Sequence, residues 1–101
     1  MSHSAPTNAS TSARSSEGLD PRRKRILFRC WHRGTKEMDL MLGGFCDARI
    51  EDLSEEELDG LEHLMDAADA DLLDWLTGRK PAPAEYDTAM FHAVMAFHTP
   101  E

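Results

Sequence analysis

Few of the features that mark a large, secreted or membrane protein occur in these 101 residues. No run approaches the roughly 20 apolar residues that cross a bilayer, and no apolar leader segment lies near the N-terminus. Cys30 and Cys46 are too few for a disulfide framework, so both are expected to be reduced thiols in an intracellular setting. No segment alternates apolar and polar residues between hairpin turns, which argues against a sheet. No glycine-rich loop follows a strand, which argues against a dinucleotide-binding fold. A chain of this length holds one small core. Barrels, Rossmann domains and other folds that enclose a large cofactor are therefore too big, which leaves binding modules, accessory proteins and very small enzymes.

The formal net charge of −8 is unevenly placed. Residues 21–33 hold six bases (Arg22, Arg23, Lys24, Arg25, Arg29 and Arg33) and no acid, whereas residues 34–101 hold seventeen acids and four bases. Two readings stand side by side. In one, the basic segment packs on the acidic ones and the protein neutralises itself. In the other, it offers its cations to a partner; nucleic acid is a minor candidate, because the acidic body repels a polyanion.

Residues 1–19 are rich in Ser, Thr and Ala, with no apolar period, and are expected to form a disordered tail ahead of a helical domain over 20–99. Asp20-Pro21 is a helix start. Ile26, Leu27, Cys30 and Trp31 make one apolar stripe, and Gly34 is the expected stop. Met38, Met41, Leu42 and Phe45 mark a second helix; Gly43 and Gly44 weaken its last turn and place Phe45 at or past its end. Residues 46–53 read as a connection. Ser54 to Glu57 is a capping box ahead of Leu58, Leu61, Leu64 and Met65. Asp69 is a further expected cap, ahead of Leu72, Leu73, Trp75 and Leu76, with Gly78 closing that helix. Past Pro81 and Pro83, the residues Tyr86, Met90, Val94 and Phe97 mark a fifth helix to about His98. The fold class is all-α, a compact bundle of about five short helices.

Most candidate chemistry is weak. Cys30, His32, Cys46 and His63 match no common zinc spacing, and His92 and His98 do not converge on one helix face. No Ser/His/Asp or Cys/His spacing supports nucleophilic catalysis. Trp75 reads as a core anchor, with an interface role left open. The segment Arg33-Gly34-Thr35-Lys36-Glu37 is more informative. Arg33 at the end of one helix and Glu37 in the first turn of the next both suit the helix dipoles. The same turn also presents a fork-shaped cation, open backbone and a carboxylate in one patch, as a recognition edge would.

Arg33-Gly34-x-x-Glu37, followed by Asp39, Leu42 and Phe45, resembles the RGxxE signature of the succinate dehydrogenase flavinylation factors. These are the SdhE proteins of bacteria and the second succinate dehydrogenase assembly factor of mitochondria. The resemblance continues through Leu53, the acidic cap at Ser54 to Glu57, Leu64-Met65, and Asp69-x-Asp71-Leu72-x-x-Trp75-Leu76. It spans roughly residues 22–80. Gly43-Gly44 departs from it, since many relatives carry bulkier residues there.

The resemblance implies a five-helix bundle that binds the flavoprotein subunit of succinate dehydrogenase, and in bacteria also that of fumarate reductase. It implies that the bundle promotes covalent attachment of FAD to a histidine of that subunit. The implied partner-binding residues are Arg33, Gly34 and Glu37, with Asp39, Arg29, His32 and Trp75 as weaker members. The implied protein is a chaperone-like assembly factor and not an enzyme. It holds no cofactor or metal itself, acts on the client's FAD, contacts neither nucleic acid nor membrane, and is a monomer when free. Its compartment is the bacterial cytoplasm, or the mitochondrial matrix if the source is eukaryotic. A proton-accepting role for Glu37 is the alternative to a conformational one. From other classes, the alternatives are a nucleic-acid or regulatory module built on the basic first helix, and a minimal FAD carrier. Arg33→Ala and Glu37→Ala are both expected to cost under about 1 kcal/mol of stability, as surface substitutions do.

Overall fold

Asp20 and Pro21 open the first helix as their order predicts. The Asp20 carboxylate accepts the Arg23 backbone N–H, and Pro21 fills the first helical position of α1 (Pro21–Cys30). The Arg23 guanidinium beside Asp20 also holds that carboxyl below the usual aspartate range. The computed structural model describes residues 16–99. It comprises α1, α2 (Lys36–Arg49), α3 (Glu55–Met65), α4 (Asp69–Leu76) and α5 (Ala89–His98), with 3-10 turns at Ile50–Asp52 and Ala84–Tyr86. Among the described residues there is no strand. The expected disorder of residues 1–15 lies outside the described part. Residues 16–19 form a turn in which the Leu19 N–H bonds the Ser16 carbonyl, and Leu19 is buried.

Several boundaries differ from those expected. α1 ends at Cys30 with Trp31 as its cap, so the chain crosses a short turn before reaching Gly34. α2 does not stop at its glycines but runs on to Arg49, with Phe45 and Cys46 buried in it and a 3-10 turn after it. Packing explains the continuation, because Gly43 lies under the Trp31 indole. A Cβ built there would fall 2.4 Å from two ring carbons, so only glycine lets α1 and α2 approach this closely. The Trp31 ring is fixed in turn by its Nε1–H, which donates to Asp47 at 3.1 Å. Asp69 does not cap α4; that position is Ala68, which makes no side-chain cap bond, and Asp69 is used elsewhere. Tyr86 lies on the second 3-10 turn rather than on α5. Thr88 caps α5, Phe91 joins Met90 and Val94 in the core, and Phe97 stays 44% exposed.

α3 starts at the expected capping box, with both reciprocal bonds formed between Ser54 and Glu57. The core runs from Ile26, Leu27 and Cys30 through Met38, Leu42 and Phe45 to Leu58, Leu61, Leu64, Leu72 and Val94. At its centre three sulfur atoms meet. The Cys46 and Cys30 Sγ atoms are 2.8 Å apart, and Cys30 Sγ is 3.8 Å from Met65 Sδ. Both cysteines are free thiols.

The basic segment divides between the two roles open to it. Arg22 pairs with Glu55, Asp59 and Glu62 along α3, and those carboxylates raise its already high pKa further. Arg23 pairs with Asp20 and donates to the carbonyls of Ile50 and Leu53. These two cations fasten α1 to the acidic body. Lys24, Arg25 and Arg29 are exposed.

Candidate functional site

The turn joining α1 to α2 is built around Arg33, and most of its bonds point inward. The Arg33 backbone N–H donates to Asp39 Oδ1 at 2.6 Å, which ties the turn to the first turn of α2. The guanidinium reaches across to the α3–α4 turn. Its Nε and Nη2 both contact Asp69 Oδ1, at 2.8 and 2.7 Å. Nη1 donates to the Met65 carbonyl at 2.7 Å and Nη2 to the Ala67 carbonyl at 3.0 Å. One planar fork thus serves a carboxylate and two carbonyls left open where α3 ends. Thr35 caps α2 by accepting the Met38 N–H, and Gly34 supplies the φ of +111° that the reversal needs.

This arrangement corrects two expectations. Arg33 does not present its fork to solvent, because its side chain is only 10% exposed and is consumed by Asp69, Met65 and Ala67. Asp39 is 6% exposed and faces into the turn. Both hold the turn through these bonds. The burial of Arg33 argues for a larger stability cost of Arg33→Ala than a surface substitution carries. Glu37 is exposed in the first turn of α2 and, among the described residues, makes no side-chain bond. Gly34 is exposed beside it. The inward clamp thus leaves open backbone at Gly34 and a carboxylate at Glu37 on the outside.

Arg29, on the outer face of α1, and His32, two residues past the helix end, are both exposed. The His32 ring stacks on Phe28 with centroids 3.9 Å apart, and its Nδ1 bonds the Phe28 carbonyl. Trp75 is not brought to this turn. It lies six residues beyond Asp69 on α4, about 9 Å along the axis, and stacks on Tyr86, which stacks in turn on His63. The residues weighed for zinc do not assemble. Cys30 and Cys46 are in the core, His32 is on Phe28, and His63 bonds the Glu85 carbonyl. Among the described residues, no three His, Cys, Asp or Glu side chains are gathered as a metal would require.

Sequence reasoning missed Asp69 as the partner of Arg33 and Phe28 as the ring beneath His32. No local signal marks Asp69, which is 36 residues away from Arg33. Phe28 did carry one: it is an aromatic off the buried stripe, four residues before His32.

Residues 24–98 match the family model described as flavinator of succinate dehydrogenase. The chain is 38% identical over 92 residues to a FAD assembly factor SdhE of Acetobacter pasteurianus, which covers 91% of this chain and 84% of that one. It is 37% identical over 73 residues to a mitochondrial succinate dehydrogenase assembly factor 2 of Mycosarcoma maydis, covering 72% of this chain and 31% of the relative. A mitochondrial counterpart from Dictyostelium discoideum is 30% identical over 76 residues, which is 75% of this chain and 54% of that one. The chain thus spans most of the bacterial relative and about a third to a half of these mitochondrial ones.

Proposed function

Because the chain belongs to the family of flavinators of succinate dehydrogenase, we propose that it binds the flavoprotein subunit of that enzyme and promotes covalent attachment of FAD to one of its histidines. The observation that carries this reading is the turn itself: the family's signature is clamped from inside, so that Gly34 and Glu37 are what it offers outward. Arg33, Asp39 and Asp69 are positioning residues in this reading, and Gly34 and Glu37 are contacts.

Attachment needs a flavin methyl proton removed and an imidazole placed to attack, in a dry site with pre-placed donors. A bundle of this size does not enclose FAD, so those groups belong to the client. The factor's part is conformational. A preference of about 1.4 kcal/mol for the attachment-competent arrangement of the client raises its population tenfold. The protein works as a non-catalytic monomer in the compartment where the flavoprotein is assembled. In a bacterium, the fumarate reductase flavoprotein is a second client. No helix among the described residues is long and apolar enough to cross a membrane.

Two outcomes test this. Glu37→Gln keeps the size and polarity of an exposed side chain, so the melting temperature should stay within a degree or so of wild type. Covalent flavin on the co-expressed client, read by in-gel fluorescence, should fall at least tenfold. Undiminished fluorescence would remove Glu37 from the contact. Separately, the purified protein mixed with FAD should elute from gel filtration without flavin absorbance. A stoichiometric flavin peak would instead make it a carrier.

A further inference from the structure

Arg25, Phe28 and Arg29 fall at i, i+3 and i+4 on α1, and His32, just past its end, folds back onto Phe28; together they form one exposed stripe opposite Ile26, Leu27 and Cys30. Phe28 is 62% exposed, more than any other large apolar side chain among the described residues. It is held in place, since His32 stacks on it at 3.9 Å and bonds its carbonyl. A groove of about 360 Å³ lies beside the stripe, with Ala67 and Ala68 of the α3–α4 turn on its far side. The other three cations of the basic segment are spent within the fold on Asp20, Glu55, Asp59, Glu62 and Asp69. Lys24, Arg25 and Arg29 form no ion pair among the described residues.

We propose that this stripe is a docking surface for an acidic segment of the flavoprotein client, with Phe28 as its apolar anchor and Arg25 and Arg29 as its charged rim. The inference rests on the function proposed above and extends it from Arg29 and His32, which the resemblance implies, to Phe28 and Arg25 farther along α1. A fixed aromatic flanked by arginines is the composition of an energetic centre in a protein interface. Charge complementarity decides the partner's chemistry. Seventeen acids against four bases over residues 34–101 disfavour an acidic surface over most of the body, whereas the stripe carries cations only, which favours one orientation. The stripe adjoins Gly34 and Glu37 along the chain, so one client can cover both. Neutralising residues 22–25 together would mix two effects, because Arg22 and Arg23 are paired within the fold.

The test uses the full-length chain and the isolated flavoprotein subunit, with association and dissociation rates measured across a salt series. Phe28→Ala puts a better helix former at an exposed position, so the fold keeps its melting temperature. Dissociation should accelerate about 30-fold, as for a side chain at the centre of an interface. The double variant Arg25→Glu/Arg29→Glu should slow association at least tenfold at low salt and flatten its salt dependence. Glu37→Gln serves as reference. If it weakens binding while both stripe variants bind as wild type does, the stripe is not a contact and the function stands. If wild type does not bind the subunit at all, the function falls and the stripe proposal with it. Binding of the stripe to duplex DNA or to anionic vesicles in preference to the subunit would also overturn the proposal.

Discussion

Replacing Arg33 with alanine should lower folding stability by about 2–4 kcal/mol, far more than a surface arginine contributes. The change strands three acceptors at once: the Asp69 carboxylate and the carbonyls of Met65 and Ala67. Leaving one member of a buried pair uncompensated costs about 3–5 kcal/mol. Asp69 keeps 21% of its surface in water, which lowers that figure. Arg33→Lys should recover only part of the loss, because a single ammonium cannot span a carboxylate and two carbonyls in one plane. Urea unfolding with an unchanged m-value would read the difference as stability alone. Flavinylation should fall as well, through a turn that no longer holds Gly34 and Glu37 in place. An Arg33→Ala protein that unfolded at the wild-type urea concentration would show that the clamp contributes nothing.

At Gly43 and Gly44 the same substitution should have opposite signs. Glycine in a helix interior costs roughly 1 kcal/mol relative to alanine, so both positions stand to gain from Gly→Ala. At Gly44 the new Cβ would lie 3.8 Å from the nearest atom, His98 Cε1, an ordinary contact. That variant should be stabilised by about 0.5–1 kcal/mol. At Gly43 the Cβ would sit 2.4 Å from Trp31 ring carbons, and the ring is tied to Asp47. Overpacking of this kind costs typically 1–3 kcal/mol, with more when neighbours cannot give. Gly43→Ala should therefore destabilise by about 2 kcal/mol even after the propensity gain. Thermal melts of the two single variants decide it, and equal shifts would mean that the indole moves aside freely.

These positions also show how far local reading reaches. Two helix starts were legible because the start is a side-chain bond over three residues, at Asp20 and Ser54; the same bond forms at Thr35 and Thr88, where the start was not legible. The end of α2 was not, because propensity at Gly43 argues for a stop while the Trp31 contact, twelve residues away in sequence, holds the helix on. The signature turn was legible as the joint between α1 and α2, and as a candidate site, from its residues and their resemblance to a family. Its internal division was not. Whether Arg33 faces out or in depends on Asp69, and whether Asp39 is surface or core depends on a backbone N–H six residues before it. The charge of residues 21–33 was visible as a sum. Only the placement of α3 beneath Arg22 separates the cations that bind the fold from those left outside.

The sulfur contact at the meeting point of α1, α2 and α3 has a kinetic consequence. The Cys30 contact, and after it burial, push the Cys46 thiol well above its ordinary pKa, and both sulfurs are fully covered. The thiolate is the reactive form, so an alkylating reagent meets neither cysteine while the helices stay together. Labelling waits for α1 and α2 to part. At modest reagent concentration its rate is the opening equilibrium multiplied by the reagent's rate with a free thiol. The two cysteines thus act as a built-in clock for separation of the hairpin that carries the signature turn, readable in native buffer by the gain in mass with time.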